Sequence, residues 1–272
     1  MTEWSITAFK YAERNQRLRQ HSFLLDDDHA SPHAMDYYVW LLEAGDRRIV
    51  VDTGYDAAEG RARGRPIETA PQDMLAQAGV ETSSVDTVIL THLHYDHAGS
   101  LAAFPEARLW VQEVEMAYAT GPCMCHDALR MPFTGAHICD MVRALYMGRV
   151  QFVSGSAEVA PGVELHLIGG HSRGLQVVRV RTRRGWVVLA SDASHYYENF
   201  LAGKPFPIVV DLENMLNGFA RIRALAESDA HVIPGHDPLV RAAYPIRGSE
   251  NVVSLHADPK PGLWTPQGRA LP

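Results

Sequence analysis

The segment 92–97 concentrates side chains that bind metal ions. It follows a short apolar run and reads HLHYDH. In an extended chain, alternate residues point to the same side, so His92 and His94 face one way, and the following turn returns Asp96 and His97 toward them. Four nitrogen and oxygen ligands within six residues are typical of a site for divalent transition-metal ions. The alternative is a polar loop whose histidines only cap strands.

Three further candidate ligands come later in the chain, each directly after an apolar run. They are His171 in GGHS, Asp192 in ASDA and His236 in PGHD. Glycine and other small residues allow the backbone to approach a bound group closely. Together with the segment 92–97, they provide seven ligands, which is enough for two metal ions.

Short strands must position these side chains. Apolar runs predict a hairpin at 39–44 and 48–52 and further strands at 86–91, 107–112, 163–168, 175–181, 186–190 and 230–233. Helices are predicted at 73–78, at 113–119 and from Asp211 onward. Strands with intervening helices in both halves of the chain predict one layered α/β domain over residues 1–272.

Composition excludes several other classes of protein. Of 272 residues, 46% are apolar and 21% charged, which is usual for a globular protein and not for a disordered one. The net charge of −7 argues against a nucleic-acid binder, which needs a basic face. We expect no membrane span, because no apolar run approaches eighteen residues. The acidic N-terminal start and the odd number of cysteines, three, predict a cytoplasmic protein rather than a secreted disulfide scaffold.

The order of these ligands resembles the metallo-β-lactamase superfamily, with landmarks from the VDTG sequence at 51–54 to His236. The resemblance implies a four-layer αβ/βα sandwich, in which helices flank two mixed β-sheets and a two-metal site lies at one edge. It also implies the role of each ligand: the first ion is bound by His92, His94 and His171, the second by Asp96, His97 and His236, and both by Asp192 as a bridge.

Differences between this sequence and other branches of the superfamily narrow the range of expected reactions. True β-lactamases of this fold usually carry a cysteine where Asp192 stands, and di-iron flavoproteins carry a glutamate in place of His94. Nucleases of the superfamily have added domains or basic surfaces that this acidic chain lacks. Glyoxalase II keeps all seven ligands, but the chain has no obvious basic C-terminal segment for glutathione.

The local sequence is most similar to N-acyl homoserine lactone lactonases, which are quorum-quenching enzymes, and to 4-pyridoxolactonase. The similar segments are HLHYDHAG, the DAS sequence at 192–194, and VDTGY. Those enzymes usually have a tyrosine three residues after the bridging aspartate, whereas this chain has His195 there, followed by Tyr196 and Tyr197. Either His195 takes over as the donor to the lactone carbonyl, or one of the tyrosines does, or the substrate is different.

From this resemblance we expect a metal-dependent lactonase in which a hydroxide shared by two divalent ions attacks the lactone carbonyl. The ligand types favour Zn²⁺, with Mn²⁺, Fe²⁺ or Co²⁺ as alternatives. We expect Asp96, His195 and Tyr196 to be catalytic, with Asp96 passing a proton to the leaving oxygen. The alternative functions are hydrolysis of another lactone, a cyclic amide or a thioester, and a non-catalytic metal-binding protein. The expected partner is a small-molecule ester, and a homodimer is possible.

The segment 121–149 mixes cysteine, methionine and aromatic residues, and predicts helical turns that form a lid or pocket insertion. Cys123, Cys125 and His126 would hold an additional zinc ion only if Cys139 folded back toward them, and lining of the pocket is the favoured interpretation. Residues 257–272 are predicted to be a surface strap.

Three residues outside the seven ligands also carry predictions. Asp52 is expected either to orient a ligand histidine or to cap a strand. Arg183 and Arg184 are expected to be solvated charges on a hairpin.

Overall fold

Two mixed β-sheets form the frame of the protein. The computed structural model describes residues 2–67 and 69–260. The strands in chain order are β1 (Ser5–Arg14), β2 (Met35–Ala44), β3 (Arg47–Val51), β4 (Thr87–Ile89), β5 (Arg108–Gln112), β6 (Val150–Val153), β7 (Ser156–Ala160), β8 (Val163–Leu167), β9 (Gln176–Thr182), β10 (Gly185–Ser191), β11 (Val232–Pro234), β12 (Ile246–Arg247) and β13 (Ser249–Ser254).

The helices lie between these strands in sequence. They are α1 (Ala57–Ala62), α2 (Pro71–Gln77), α3 (Glu113–Ala119), α4 (Asp127–Arg130), α5 (Gly135–Tyr146), α6 (Tyr197–Ala202), α7 (Leu212–Leu225) and α8 (Pro238–Ala243). None of the helices in the described ranges is both long and apolar enough to cross a membrane.

Each sheet combines parallel and antiparallel pairs. In the described part of the chain the first sheet has the order β12-β13-β1-β2-β3-β4-β5-β6, and the second has the order β11-β10-β9-β8-β7. From β3 to β6 neighbouring strands are parallel, and so are β10 and β11, whereas the other pairs are antiparallel. Parallel neighbours end at the same edge of a sheet, and this property positions the functional site.

The core lies on both faces of the first sheet, and β2 shows how the sequence produces this arrangement. Side chains alternate across a strand. Tyr38, Trp40 and Leu42 pack in the cluster that faces the second sheet. Val39 and Leu41 pack in the cluster on the opposite face, beneath α2, α3 and α5. A strand covered on both faces must be apolar throughout, which explains its continuous hydrophobic run.

The predicted fold class is confirmed, since two mixed sheets are flanked by helices. The predicted hairpin corresponds to β2 and β3, and the helix predicted at 113–119 is α3. The segment 121–149 is helical, as predicted, and contains α4 and α5. Most of the predicted C-terminal strap, residues 261–272, lies outside the described residues.

The sequence analysis missed five strands: β1, β6, β7, β12 and β13. In β1 the register with β2 shifts between Lys10 and Ala12, so a bulge interrupts the alternation that would have revealed it. The strands β6, β7, β12 and β13 are short and carry mixed polarity. They therefore lack a clear hydrophobic period.

The prediction for Arg184 is wrong. Its side chain is 6% exposed and donates to the oxygens of Tyr244, Leu255, Ala257 and Ala230. A guanidinium group has five N–H donors in a fixed plane, so it can collect carbonyl groups from several segments at once. Arg184 therefore ties the β9–β10 hairpin to the segment that follows β13.

This contact predicts different roles for two adjacent arginines. Arg184→Met should lower the free energy of unfolding by about 2–4 kcal/mol, because the substitution leaves buried carbonyl groups without a donor. Arg183 is exposed and, among the described residues, donates only to the main-chain oxygen of His256, so Arg183→Met should change stability by less than about 0.5 kcal/mol. Urea denaturation of both variants checks this, and equal effects would contradict it.

Candidate metal centre

Two parallel strand pairs bring the predicted ligands to one edge. β3 and β4 are parallel, so the residue after β3, Asp52, lies beside the segment after β4 that begins with Thr91 and His92. β10 and β11 are also parallel, so Asp192 and His236 follow neighbouring strand ends. The sheet topology thus brings together residues that are far apart in sequence.

The backbone at this edge is unusual. Asp52, the first residue after β3, and Ser191, the last residue of β10, have φ values of +59° and +45°, which non-glycine residues rarely adopt. At Gly235 a Cβ atom would lie 2.7 Å from the backbone of Ser191 and 2.9 Å from Oδ1 of Asp192. Such strain persists only where the surroundings hold it in place, and it is concentrated at functional sites.

The carboxylate of Asp192 lies among four imidazoles. Its Oδ1 is 3.0 Å from Nε2 of His236 and 3.3 Å from Nε2 of His97. Its Oδ2 is 3.1 Å from Nε2 of His171 and 2.9 Å from Nε2 of His195. One carboxylate therefore faces two separate sets of nitrogen atoms, one through each oxygen.

The first set contains His92, His94 and His171. One nitrogen from each residue lies within 4.8 Å of the others. The ring of His94 is 4.5 Å from the ring of His92 and 4.6 Å from that of His171. This is the group to which the sequence analysis assigns the first ion.

The second set contains Asp96, His97 and His236, whose ligand atoms also lie within 4.8 Å of one another. Oδ2 of Asp96 is 3.8 Å from Nε2 of both histidines. The structure thus brings all seven predicted ligands together, and none is more than 8% exposed. The role of each ligand remains a prediction.

The residues present fit divalent cations. Nε2 of His92, His97 and His171 and Oδ1 of Asp192 are buried. Several of these atoms lie within about 3.3 Å of another ligand atom, but within the described ranges none of the four makes a contact with hydrogen-bond geometry. Buried polar atoms normally have a partner, so these four need one that is not a protein group. In two of these three rings the other nitrogen, Nδ1, donates a hydrogen bond. The acceptor is the main-chain oxygen of Ile208 for His171 and the carboxylate of Asp52 for His97. Such contacts fix the tautomer and direct Nε2 into the site.

The electrostatics lead to the same conclusion. Burial lowers the pKa of His92 and of His94 well below the usual value, so both imidazoles are neutral and present lone pairs. Burial alone would raise the pKa of Asp192, but His236 and His97 outweigh it and lower that pKa well below its usual range. Burial alone would lower the pKa of His97, but Asp192 and Asp52 raise it well above its usual value. The site therefore combines neutral imidazoles, His92 and His94, with carboxylates, Asp192 and Asp52, that favour positive charge beside them. This combination is the donor set of a cation site.

Thr91 joins the two sheets at this edge, and the sequence analysis did not single it out. Its amide donates to Oδ1 of Asp52 at 2.7 Å, and its hydroxyl donates to Oδ2 at 2.8 Å. The same hydroxyl is 2.8 Å from the hydroxyl of Ser191. Asp52 in turn accepts the Nδ1 proton of His97 at 2.7 Å, so it contacts a predicted ligand histidine as well as the strand-end residue Thr91, and both of the roles expected for Asp52 stay open.

Glu115, on α3, is a second residue that the sequence analysis missed. Its Oε1 accepts from the amide of Leu93 at 3.0 Å, and its Oε2 accepts from the amide of Gly174 and the hydroxyl of Ser172, both at 2.7 Å. Burial raises the pKa of Glu115, and these three donors oppose that rise. The carboxylate therefore holds the loop of His92 and His94 against the loop that carries His171.

The three candidate carbonyl donors occupy different environments. His195 lies in the site, with its ring stacked on Phe206 at 3.8 Å, and burial lowers its pKa to about 3. The hydroxyl of Tyr196 donates to the main-chain oxygen of Ala34 at 3.1 Å. Tyr197 packs in the core cluster between the sheets and contacts Phe200. His195 contacts a predicted ligand directly, since its Nε2 is 2.9 Å from Oδ2 of Asp192.

The segment 121–149 contributes one wall. The ring of Phe133 stands edge-on to the ring of His94 at 4.6 Å, and Arg63 holds this segment by donating to the main-chain oxygens of Met131 and Phe133. The three cysteines are unpaired thiols, and among the described residues no metal-capable group includes them. The structure thus gives no support for an additional zinc site.

Comparison with known proteins identifies the family. The profile described as Metallo-beta-lactamase superfamily matches residues 35–263. The chain belongs to the metallo-beta-lactamase superfamily. Within it, the chain is 29% identical over 218 residues to the N-acyl homoserine lactonase AiiA of Bacillus thuringiensis subsp. kurstaki, covering 74% of this chain and 80% of that protein. It is 30% identical over 223 residues to a probable metallo-hydrolase of Mycobacterium tuberculosis, covering 74% and 71%.

Solved structures of this superfamily have the same architecture. A quorum-quenching N-acyl homoserine lactone lactonase superimposes with a TM-score of 0.73 at 26% identity, covering 88% of this chain and 94% of that one. An N-acyl homoserine lactone hydrolase, with the product N-hexanoyl-L-homoserine bound at its catalytic metal centre, gives a TM-score of 0.74 at 25% identity, covering 89% and 96%. The predicted class, a metal-dependent hydrolase acting on ester bonds, is confirmed.

The position of Glu115 predicts a measurable role. Glu115→Gln should lower the free energy of unfolding by about 2–3 kcal/mol, because the amide presents N–H groups where three donors need an acceptor. Affinity for Zn²⁺ should fall by about 10- to 100-fold, as for other groups that orient metal ligands.

The matched control is Glu113→Gln, on the first turn of the same helix. Its exposed carboxylate accepts a hydrogen bond only from the hydroxyl of Ser154 in the part of the chain that the structure describes. We expect this control to leave both quantities nearly unchanged. Denaturation curves and competition with a chromophoric chelator measure the two effects. A Glu115→Gln variant with unchanged zinc affinity would contradict the role.

Proposed function

We propose that this protein is a lactonase that hydrolyses the ester bond of N-acyl homoserine lactones. The observation that carries the proposal is the buried ligand set around Asp192, in which three histidine nitrogens and one carboxylate oxygen lack partners in the described ranges. The similarity to lactonases over about three-quarters of the chain supports the same reaction class.

The site is proposed to hold two divalent cations, with Zn²⁺ favoured by the histidine-rich ligands. His92, His94 and His171 would hold one cation, Asp96, His97 and His236 would hold the other, and Asp192 would contact both. When bound, the cations would make a water molecule nucleophilic near neutral pH and polarise the lactone carbonyl.

The remaining steps fall to the side chains of this chain. Asp96 has a carboxylate oxygen at the edge of the second ligand set, and we propose that it takes the proton of the attacking water and passes it to the leaving ring oxygen. The Nε2 proton of His195 faces Oδ2 of Asp192 at 2.9 Å. Cations on Asp192 would compete for that oxygen, which would free the imidazole proton for the carbonyl oxygen of the substrate.

Aromatic side chains favour a substrate with an apolar part. Phe133 packs on His94 and Phe206 packs on His195, so aromatic rings lie beside both the first ligand set and the proposed carbonyl donor. Tyr118 contacts Phe133 at 5.8 Å between ring centres and extends this apolar wall. The three rings are at most 7% exposed, so an acyl chain would gain free energy from them only where substrate binding opens the wall.

A substrate panel tests the proposal. Purified protein reconstituted with Zn²⁺ should bind two ions per chain by elemental analysis and should open N-acyl homoserine lactones faster than pyridoxolactone or glutathione thioesters. Asp192→Asn should remove most of this activity and weaken the binding of one metal ion, while the thermal unfolding profile keeps its shape. Wild-type protein that binds two ions but opens no N-acyl homoserine lactone would overturn the proposal.

The role of His195 leads to a separate prediction. His195→Ala should lower kcat by about 10- to 1000-fold with little change in metal content, as expected for loss of one donor to the developing oxyanion. Tyr196→Phe and Tyr197→Phe should be mild, because the hydroxyl of Tyr196 donates to the main-chain oxygen of Ala34 and the ring of Tyr197 packs in the core cluster between the sheets. Steady-state kinetics and elemental analysis measure both quantities. A His195→Ala variant that loses a metal ion would show that His195 is a ligand instead.

A further inference from the structure

Four tyrosines cluster beside the second ligand set: Tyr11, Tyr37, Tyr55 and Tyr95. Their rings contact one another at centroid distances between 5.2 and 6.1 Å. The ring of Tyr37 also stands edge-on to the imidazole of His236 at 5.1 Å. All four rings are buried, with exposures of 4% or less, so each hydroxyl needs a specific partner.

Three of the four hydroxyl protons have protein acceptors. Tyr11 donates to the main-chain oxygen of Asp96 at 2.8 Å, and Tyr55 donates to the main-chain oxygen of Arg65 at 3.1 Å. Tyr95 donates to the hydroxyl oxygen of Tyr37 at 3.4 Å. Among the described residues, Tyr37 takes part in a hydrogen bond only as an acceptor, so its own proton has no acceptor there.

Arg65 favours one direction for this chain of hydrogen bonds. Its guanidinium donates to the hydroxyl oxygen of Tyr95 in a short contact. A guanidinium group can only donate, so the Tyr95 oxygen accepts from Arg65, and the Tyr95 proton is donated to the hydroxyl oxygen of Tyr37. The Tyr37 proton must then point away from Tyr95. The chain of donors runs from Arg65 through Tyr95 to Tyr37 and ends beside His236.

We propose that Tyr37 is a further catalytic residue, whose hydroxyl donates a hydrogen bond to the leaving ring oxygen of the lactone. This inference rests on the proposed lactonase function. As the ester C–O bond breaks, its electron pair stays on the ring oxygen, and the Tyr37 hydroxyl stabilises that charge without giving up its proton. The proton that finally binds this oxygen comes from the attacking water through Asp96. Arg65 and Tyr95 are positioning residues that keep the Tyr37 proton directed at the substrate.

A comparison of two leaving groups tests the proposal. An N-acyl homocysteine thiolactone has the same ring size, but its leaving sulfur is a weak hydrogen-bond acceptor and a thiol is far more acidic than an alcohol. Tyr37→Phe should therefore lower kcat for the oxygen lactone by about 100-fold, which is the loss expected for one donor to a developing oxyanion. Turnover of the thiolactone should fall by less than about threefold.

Tyr55→Phe is the matched control, because it removes a buried phenol from the same cluster but leaves the three side chains of the donor chain in place. The ratio of lactone to thiolactone turnover should stay at the wild-type value. Zinc content should be unchanged in both variants. A Tyr37→Phe variant that loses both activities equally would overturn the proposal and leave Tyr37 with a structural role.

Two variants of Arg65 test the direction of the chain. Arg65→Met allows Tyr95 to accept from Tyr37 instead, so the lactone-to-thiolactone ratio should fall by about tenfold with little change in KM. Arg65→Lys keeps a side chain that can only donate, so the lactone-to-thiolactone ratio should stay close to the wild-type value. Identical ratios in the methionine and lysine variants would overturn the positioning role.

Binding of the ring-opened hydroxy acid provides a test that does not depend on turnover. The leaving oxygen is a hydroxyl group in this product, so Tyr37→Phe should raise its Kd by about tenfold in calorimetry, and Tyr55→Phe should not. Equal Kd values in wild type and Tyr37→Phe would count against the contact. Wild-type protein that opens no lactone would overturn the proposed function and this inference with it. An active wild type whose Tyr37→Phe variant loses lactone and thiolactone turnover equally would overturn this inference alone.

Discussion

The buried carboxylate of Asp192 is the group around which the site is organised. A carboxylate out of water is strongly destabilising unless positive charge and hydrogen-bond donors surround it. This protein provides four imidazoles within 3.3 Å of its two oxygens. Their loops must therefore converge on one point, and strand order, strained backbone and supporting hydrogen bonds all serve that convergence. Divalent cations would provide the charge that such a group requires.

Convergence on one carboxylate requires the two sheets to be held in fixed relative positions. Thr91 achieves this where the strand ends meet, since its hydroxyl contacts both Asp52 of the first sheet and Ser191 of the second. Glu115 performs a similar task between two loops. Both groups are buried and fully hydrogen-bonded, so a small displacement of one loop would leave a polar atom without a partner. This penalty makes the geometry of the ligands precise.

The direction of hydrogen bonds matters in a site rich in polar groups, because a carboxylate only accepts and a guanidinium only donates. Asp192 accepts the Nε2 proton of His195, which would become free for the substrate only when cations compete for that carboxylate oxygen. Arg65 donates to Tyr95, whose own proton is donated to Tyr37. In our proposals, His195 serves the carbonyl oxygen of the substrate and Tyr37 serves the leaving oxygen.

The sequence alone predicted the candidate ligand segments and a layered α/β domain, because clustered histidines and short apolar strands are local signals, and the resemblance to a known superfamily added the four-layer sandwich. It predicted the HLHYDH segment, His171, Asp192 and His236, and it predicted the hairpin of β2 and β3. It did not distinguish Glu115 from Glu113, or Arg184 from Arg183, since each pair has the same charge in nearly the same local sequence. It also did not connect Arg65 with Tyr95 and Tyr37. Only the tertiary structure decided which member of each pair is buried and where each hydroxyl proton points, because burial and hydrogen-bond direction depend on contacts between segments that are distant in the chain.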